Sequence, residues 1–370
     1  MIELTRALVE CESPTGDGAA LDRFVELMAD TMAPLAAVRK VPGGAYGKHL
    51  VCDLRWLGRR KPGRDKPGSV LVLGHSDTVW PAGTLGAMPF RSDEGRLWGP
   101  GVFDMKGGIV LFVFAARALR ELEIPVTARV RLQLNSDEEA GSPTSRALTE
   151  KNAGESSAVL VLEPATGLEG KLKTARKGVG EYRIVVHGKA SHAGVDFEAG
   201  ASATLELARQ IERIHAFNDR ESGITVNPGV ISGGTRSNVV AAEAWAAIDV
   251  RVMRPADAGV LEKKFRALRP YDTRCSIEVS GGLNRPPMQR SKETVRLFKT
   301  AQMLARELDL ELEESLSGGG SDGNFTAALG VPTLDGLGAV GEGAHAANES
   351  ILIDRMADRA ALLAKLLAGL

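Results

Sequence analysis

Through residue 163, short β-rich runs alternate with helical stretches, and that alternation leaves few architectures open. The runs Leu50 to Trp56, Ser69 to Leu73, Arg129 to Leu134 and Ala158 to Leu162 each have the length of one strand, and Gly107 to Leu122 has the length and pattern of a helix. Strand and helix in alternation predict an α/β domain. The polar run Gly58 to Gly68 holds two Pro-Gly pairs between two strand-like runs and is expected to be a solvated turn, not a phosphate-binding patch. From Gly178 the order changes. A strand to about His187, a helix from about Ala199 to His215, strands near Thr225 to Ile231 and Ala242 to Val252, a helix after Pro255 and a strand at Cys275 to Val279 spell β-α-β-β-α-β, the order of a ferredoxin-like α+β module. Helical patterns resume at Glu293 to Glu307 and Ile351 to Leu367, so the tail is expected to return to the first core. The expected division is a first domain of residues 1–176 and 287–370 around an inserted domain of residues 177–286. A length of 370 residues agrees with two domains.

Composition narrows the function. Lys+Arg 46 against Asp+Glu 47 leaves a formal charge of -1 with no basic arm, so no nucleic-acid partner is expected. No apolar run reaches the roughly 18 residues of a membrane span, and Glu3 and Glu10 make the N-terminus read as a helix and not as a signal peptide, so no membrane partner is expected either. Cys11, Cys52 and Cys275 are odd in number and far apart, which fits packing residues in a reducing, cytoplasmic setting.

Six histidines are present, and His75 directly follows the Ser69 to Leu73 run, where α/β sheets place functional loops. In extended backbone, positions two apart point the same way, so Asp77 is placed to hold the His75 ring as carboxylates do behind zinc-bound histidines. Asp104 lies in the glycine-rich bend Gly99 to Gly108 before a helix; Asp137, Glu138 and Glu139 follow the Arg129 strand; Glu163 follows the Ala158 strand; and His345 is flanked by glycine in Gly343-Ala344-His345. Taken singly, these have bland readings as a hydrogen-bonded turn, a helix cap and a solvated acidic loop. Together, a histidine and several acids at successive strand ends predict a metal site at one sheet edge. Imidazole with carboxylate oxygen suits Zn2+, with Co2+ or Mn2+ as alternatives, and the second histidine allows two metals bridged by one acid.

At this point the sequence resembles the M20 metallopeptidases, most closely the glutamate carboxypeptidases of the carboxypeptidase G type. The matching segments are Gly74 to Val79, Gly99 to Gly108, Asp137 to Ser142, Leu162 to Pro164, Gly188 to Gly194, Ser237-Asn238, Asp249 to Arg251 and Gly318 to Asp322. The resemblance implies a mixed-sheet dinuclear zinc peptidase domain with an inserted ferredoxin-like lid and dimerisation domain. It makes Asp104 the bridging ligand, with His75 and Glu163 completing one metal and Glu139 and His345 the other. Glu138 becomes the general base, and Asp77 supports His75. A cis peptide is implied at Asp104-Met105. His192 matches a histidine that reaches the partner subunit's site in a homodimer and polarises the scissile carbonyl. Asn238 and Arg251 match groups that hold the substrate carboxylate, and Lys171 matches a lysine that reads glutamate. The implied activity is metal-dependent hydrolysis of an amide bond, releasing a C-terminal amino acid, glutamate or aspartate, from a small peptide or N-acyl substrate. The alternative is an aminoacylase or amidohydrolase without acidic preference. Ser321 where the family usually has Thr, Gly323, and Ala-Ala after His345 depart from the pattern and point to a pocket of different shape. Gly336 to Gly341 spells the dinucleotide fingerprint G-x-G-x-x-G, but the succeeding Glu342-Gly343-Ala344-His345 does not read as a helix, so an NAD enzyme is not expected. His49, His187 and His215 lie outside the matches and read as structural or surface residues.

Overall fold

The computed structural model describes residues 1–56 and 68–370. The turn expected at Gly58 to Gly68 lies, apart from Gly68, outside the described residues. The chain divides into two compact units, one of Met1–Ala175, Met288–Ser317 and Ser321–Leu370, the other of Arg176–Pro287 and Gly318–Gly320.

In the first unit, continuous apolar runs build a sheet buried on both faces. Val70 and Val72 join one core cluster with Phe24, Phe112, Leu132 and Leu363, whereas Leu71 and Leu73 point the other way, onto Val159, Val161 and Ala153. The sheet runs in the order Ala36–Pro42, Lys48–Leu54, Arg129–Asn135, Ser69–His75, Ala158–Val161, Thr333–Leu334. Ser69–His75 is parallel to both of its neighbours, while Lys48–Leu54 is antiparallel to Arg129–Asn135, so the sheet is mixed. The helix Gly107–Glu121 is buried along most of its length and packs on Asp354–Gly369. Its start needs glycine: a Cβ on Gly108 would lie 2.1 Å from the Leu162 carbonyl oxygen.

The run Gly336 to Gly341 is structural. Leu337 N–H donates to the Val161 carbonyl (3.0 Å) and Gly338 N–H to that of Glu163 (2.9 Å), and the run ends in the short strand Gly341–Glu342 instead of a helix. Arg359, wholly buried, donates to the carbonyls of Gly336 (2.5 Å), Gly338 (3.1 Å) and Gly170 (3.0 Å). Those bonds offset the desolvation that pulls its guanidinium down to about 9.

The second unit has the four-stranded order Thr225–Gly233, Glu243–Val252, Gly178–His187, Ser276–Arg285, antiparallel throughout. In chain order this is 2-3-1-4, the ferredoxin-like arrangement expected from β-α-β-β-α-β. Tyr182, Ile184 and Val186 alternate with outward residues and face Leu207 of the helix Ala203–His215 and Phe265 of Pro255–Arg266. The outermost strand Thr225–Gly233 leaves Val230 and Ile231 more than half exposed.

Some expectations shift. The last strand of this unit begins at Ser276 and runs on to Arg285, because Gly281 and Gly282 read as a turn yet pair with Tyr182 and Glu181. The helix expected from Ile351 starts at Asp354, since Ser350–Leu352 pairs with Arg96–Trp98. The helix Gly18–Met32 and strand Ala36–Pro42 were not anticipated. Among the described residues no helix is long and apolar enough to cross a membrane.

Candidate metal centre

Parallel pairing lines up the ligand-type residues. His75 lies opposite Asn135, three residues before Glu138, and Leu73 lies opposite Val161, so Glu163 comes level with His75 two residues on. All therefore emerge at the carboxyl edge of adjacent parallel strands, where open α/β sheets bind ligands. Asp104 joins them from the bend Val102–Lys106, with non-helical dihedrals at Asp104 and Met105 and a cis peptide between them. His345 enters from the loop after Gly341–Glu342, in a left-handed conformation with φ 61°.

Asp104 divides its two oxygens. Oδ1 lies 3.2 Å from His75 Nε2, which is also 3.6 Å from Glu163 Oε1. Oδ2 lies 3.4 Å from His345 Nε2, which is 3.2 Å from Glu139 Oε1. One carboxylate thus joins a His75-Glu163 pair to a His345-Glu139 pair. The donor atoms of His75, Glu138 and Glu163 lie within 4.8 Å of one another, and so, as a second set, do those of His75, Asp104 and Glu139. The electrostatics show how strongly this donor set attracts positive charge. Burial alone would lower the His75 ring, but Asp104 and Asp77 outweigh it and hold it well above its ordinary value. Asp104 and Glu139 lift His345 to about 10. Burial would raise the Asp104 carboxyl, yet the two imidazoles bring it down. Nitrogen and carboxylate oxygen gathered here, with His75 buried, Asp104, Glu139 and Glu163 largely covered and His345 exposed, fit divalent cations.

The supporting shell is more specific than the sequence suggested. His75 Nδ1 lies 2.9 Å from the Asp77 main-chain carbonyl, so Nδ1 carries a hydrogen and Nε2 is the ring atom aimed at the centre. The Asp77 carboxylate, 3.5 Å from the ring, instead accepts the Glu138 and Glu139 amides (3.2 and 3.0 Å) and the Thr15 hydroxyl (2.9 Å). It therefore positions the two acids as well as flanking the histidine. The three consecutive acids avoid mutual repulsion by parting. Asp137 turns inward and accepts from the amides and hydroxyls of Thr144 and Ser145, leaving Glu138 and Glu139 to face the centre. Buried His49 accepts the Ser136 amide at Nδ1 (3.1 Å) and meets Thr144 through Nε2. Asp322 accepts from Asn135 and Ser142. From the sequence, Asp137 and Asn135 have no evident role; a weak signal exists for Asp137, in the Thr144 and Ser145 just downstream of it.

Other expected site residues are carried by different elements. In the second unit His192 pairs with Val239 in an isolated bridge, and Ala193 N–H donates to the Asn238 carbonyl (3.0 Å), so His192 and Asn238 are neighbours. His192 Nδ1 accepts the Gly194 amide (3.1 Å), which leaves Nε2 as the donor on an exposed ring. Arg251 is engaged with Asp249, two residues back on its strand, through Nε (2.9 Å) and Nη2 (2.7 Å), and its Nη1 lies 3.4 Å from the Gly318 carbonyl. In the first unit Lys171 Nζ lies 2.6 Å from Glu313.

A model of peptidase family M20/M25/M40 matches residues 71–369. The chain belongs to that family. It is 28% identical over 351 residues to carboxypeptidase G2 of Pseudomonas sp. (strain RS-16), covering 93% of this chain and 83% of that one. It is also 28% identical to succinyl-diaminopimelate desuccinylase of Delftia acidovorans over 375 residues, 95% of this chain and 93% of that one. Aminopeptidase PepT from Bacillus cereus shares the fold, with a TM-score of 0.79 at 22% identity over 99% of this chain and 97% of that one. This member of the M20 family is a hydrolytic enzyme, and its reaction class is metal-dependent amide hydrolysis.

Proposed function

We propose that the protein is a two-metal amide hydrolase that releases a C-terminal amino acid, glutamate or aspartate, from a peptidyl or N-acyl substrate. The observation that carries this reading is the division of Asp104, one oxygen toward His75 and the other toward His345. His75, Glu163 and Asp104 would hold one cation, and Glu139, His345 and Asp104 the second. Bound there, Zn2+, or Co2+ or Mn2+ in its place, supplies Lewis-acid charge that polarises the carbonyl and acidifies a water. Glu138, its main chain held by Asp77, takes the proton from the attacking water and hands one to the leaving amine. Arg251 and Asn238 hold the substrate's free α-carboxylate, a task suited to a guanidinium fork. The three free cysteines fit a reducing, cytoplasmic setting.

The second unit acts as the lid and dimerisation domain of a homodimer, in which His192 presents its Nε2 hydrogen to the oxyanion at the centre of a second copy. The exposed apolar side chains Val195, Phe197, Leu205, Val230 and Ile231 of this unit support such an interface. Mixing inactive His192→Ala and inactive Glu138→Gln proteins is expected to restore activity, because one mixed site carries both residues. Verified subunit exchange without recovery rules out action in trans.

A second reading, an amidohydrolase without acidic preference, is favoured by the Lys171–Glu313 ion pair, which already neutralises the charge that would read an acidic side chain. Metal-loaded enzyme should be screened on N-acyl amino acids and dipeptides varied at the C-terminal residue. Glutamate and aspartate are expected to lead, and Lys171→Ala to lower kcat/KM for them by about tenfold while leaving neutral residues unchanged, the cost of one charged partner. Equal cleavage of acidic and neutral residues rejects the acidic preference and leaves the amidohydrolase. Equal cleavage of C-terminal amides rejects the carboxylate clamp.

A further inference from the structure

Glu349 is wholly buried, and all its carboxylate partners are donors. Oε1 accepts the amides of Phe103 (2.9 Å) and Asp104 (3.0 Å), and Oε2 accepts the Gly101 amide (2.8 Å) and the Trp80 indole N–H (2.7 Å). Three main-chain N–H groups of the bend that presents Asp104 thus end on one side chain. That side chain sits four residues after His345, in a loop closed by the Ala346 N–H to Gly343 carbonyl and Glu349 N–H to Ala346 carbonyl bonds (2.9 and 3.0 Å). The Asp104 residue is therefore held twice from the same loop, at its amide by Glu349 and at Oδ2 by His345 (3.4 Å). The opposite half shares Asp104, but its other two side chains come from elsewhere: His75 ends the strand Ser69–His75 and Glu163 follows the strand Ala158–Val161, whereas His345 lies in the same loop as Glu349.

We propose that Glu349 is a positioning residue that sets the separation between the Asp104 carboxylate and His345, and so controls occupancy of the His345-Glu139 half of the centre selectively. This rests on the two-metal reading above. Glu349→Gln keeps the shape but replaces one acceptor oxygen with an NH2 group that faces main-chain donors, so part of the bend loses its partner.

The test is a titration of metal-free protein with zinc and, separately, with cobalt, following affinity per equivalent and the cobalt absorption spectrum. Wild-type protein is expected to take two equivalents; fewer than two defeats the two-metal reading itself, before any variant is compared. In Glu349→Gln the first equivalent is expected to bind as in wild type and the second about 10- to 100-fold more weakly, with an altered cobalt spectrum for that equivalent alone. Glu349→Asp, which keeps the charge, is expected to recover part of that loss. Two unchanged equivalents, or two weakened alike, overturn the proposal. Should Glu349→Gln fail to fold, Trp80→Phe removes one of the two donors on Oε2 and loosens the carboxylate at that end: selective weakening of the second equivalent supports the proposal, and unchanged or uniform binding overturns it.

Discussion

Glu138→Gln is expected to keep both metal equivalents and to lose about two to four orders of magnitude in kcat, the usual contribution of a general base, equivalent to about 3 to 5 kcal/mol on the barrier. Glutamine preserves volume and its main-chain N–H still donates to Asp77, so Glu139 stays in place. KM is expected to change little, because the proton transfer matters in the transition state and not in substrate binding. Metal analysis of the same variant is decisive in its own right. Glu138 has a donor atom within 4.8 Å of those of His75 and Glu163, so it stands near enough to act as a ligand. A variant that loses a metal equivalent moves Glu138 into the ligand set, and one with near-normal turnover has no base at this position.

Stripping divalent cations with a chelator is expected to abolish turnover and lower the melting temperature, with zinc restoring both. Without cations, Asp104 has both imidazoles and Glu139 has His345 for compensating charge, which is why His75 and His345 are raised. A ligand that binds only the folded state stabilises it by about 2.7 kcal/mol per site at one hundred times its dissociation constant, so the thermal shift reports occupancy independently of activity. Turnover indifferent to chelation removes the metal mechanism. Full turnover with fewer than two equivalents removes the second cation from it.

Much of the architecture was legible because its signals are local. The short apolar run of Ser69–His75 and the period-two alternation in Gly178–His187 report strands, and the order of strands and helices after Gly178 is enough for a ferredoxin-like module. Where local signals conflict with pairing, the reading moved. The pair Gly281-Gly282 carries turn chemistry, yet the neighbouring strand extends the ladder through it. The acids at strand ends were legible too, since the carboxyl edge of a parallel sheet follows from connectivity.

The linear pattern showed where the ligand-type residues stand: His75, Glu138, Glu139 and Glu163 just after strand-like runs, Asp104 in a glycine-rich bend and His345 in Gly343-Ala344-His345. The tertiary structure decided what each side chain does. It sends the two oxygens of Asp104 to different histidines, turns Asp137 inward between two outward acids, and gives the Asp77 carboxylate to the Glu138 and Glu139 amides while its carbonyl holds the His75 ring. It also pairs Arg251 with Asp249, Lys171 with Glu313, and the Asp104 bend with Glu349. The physical reason is range. Periodicity and turn chemistry act over a few residues, whereas a loop side chain points where distant partners let it satisfy its hydrogen bonds. Glu349 lies 245 residues from the Asp104 amide it accepts, so only the folded chain brings the two together.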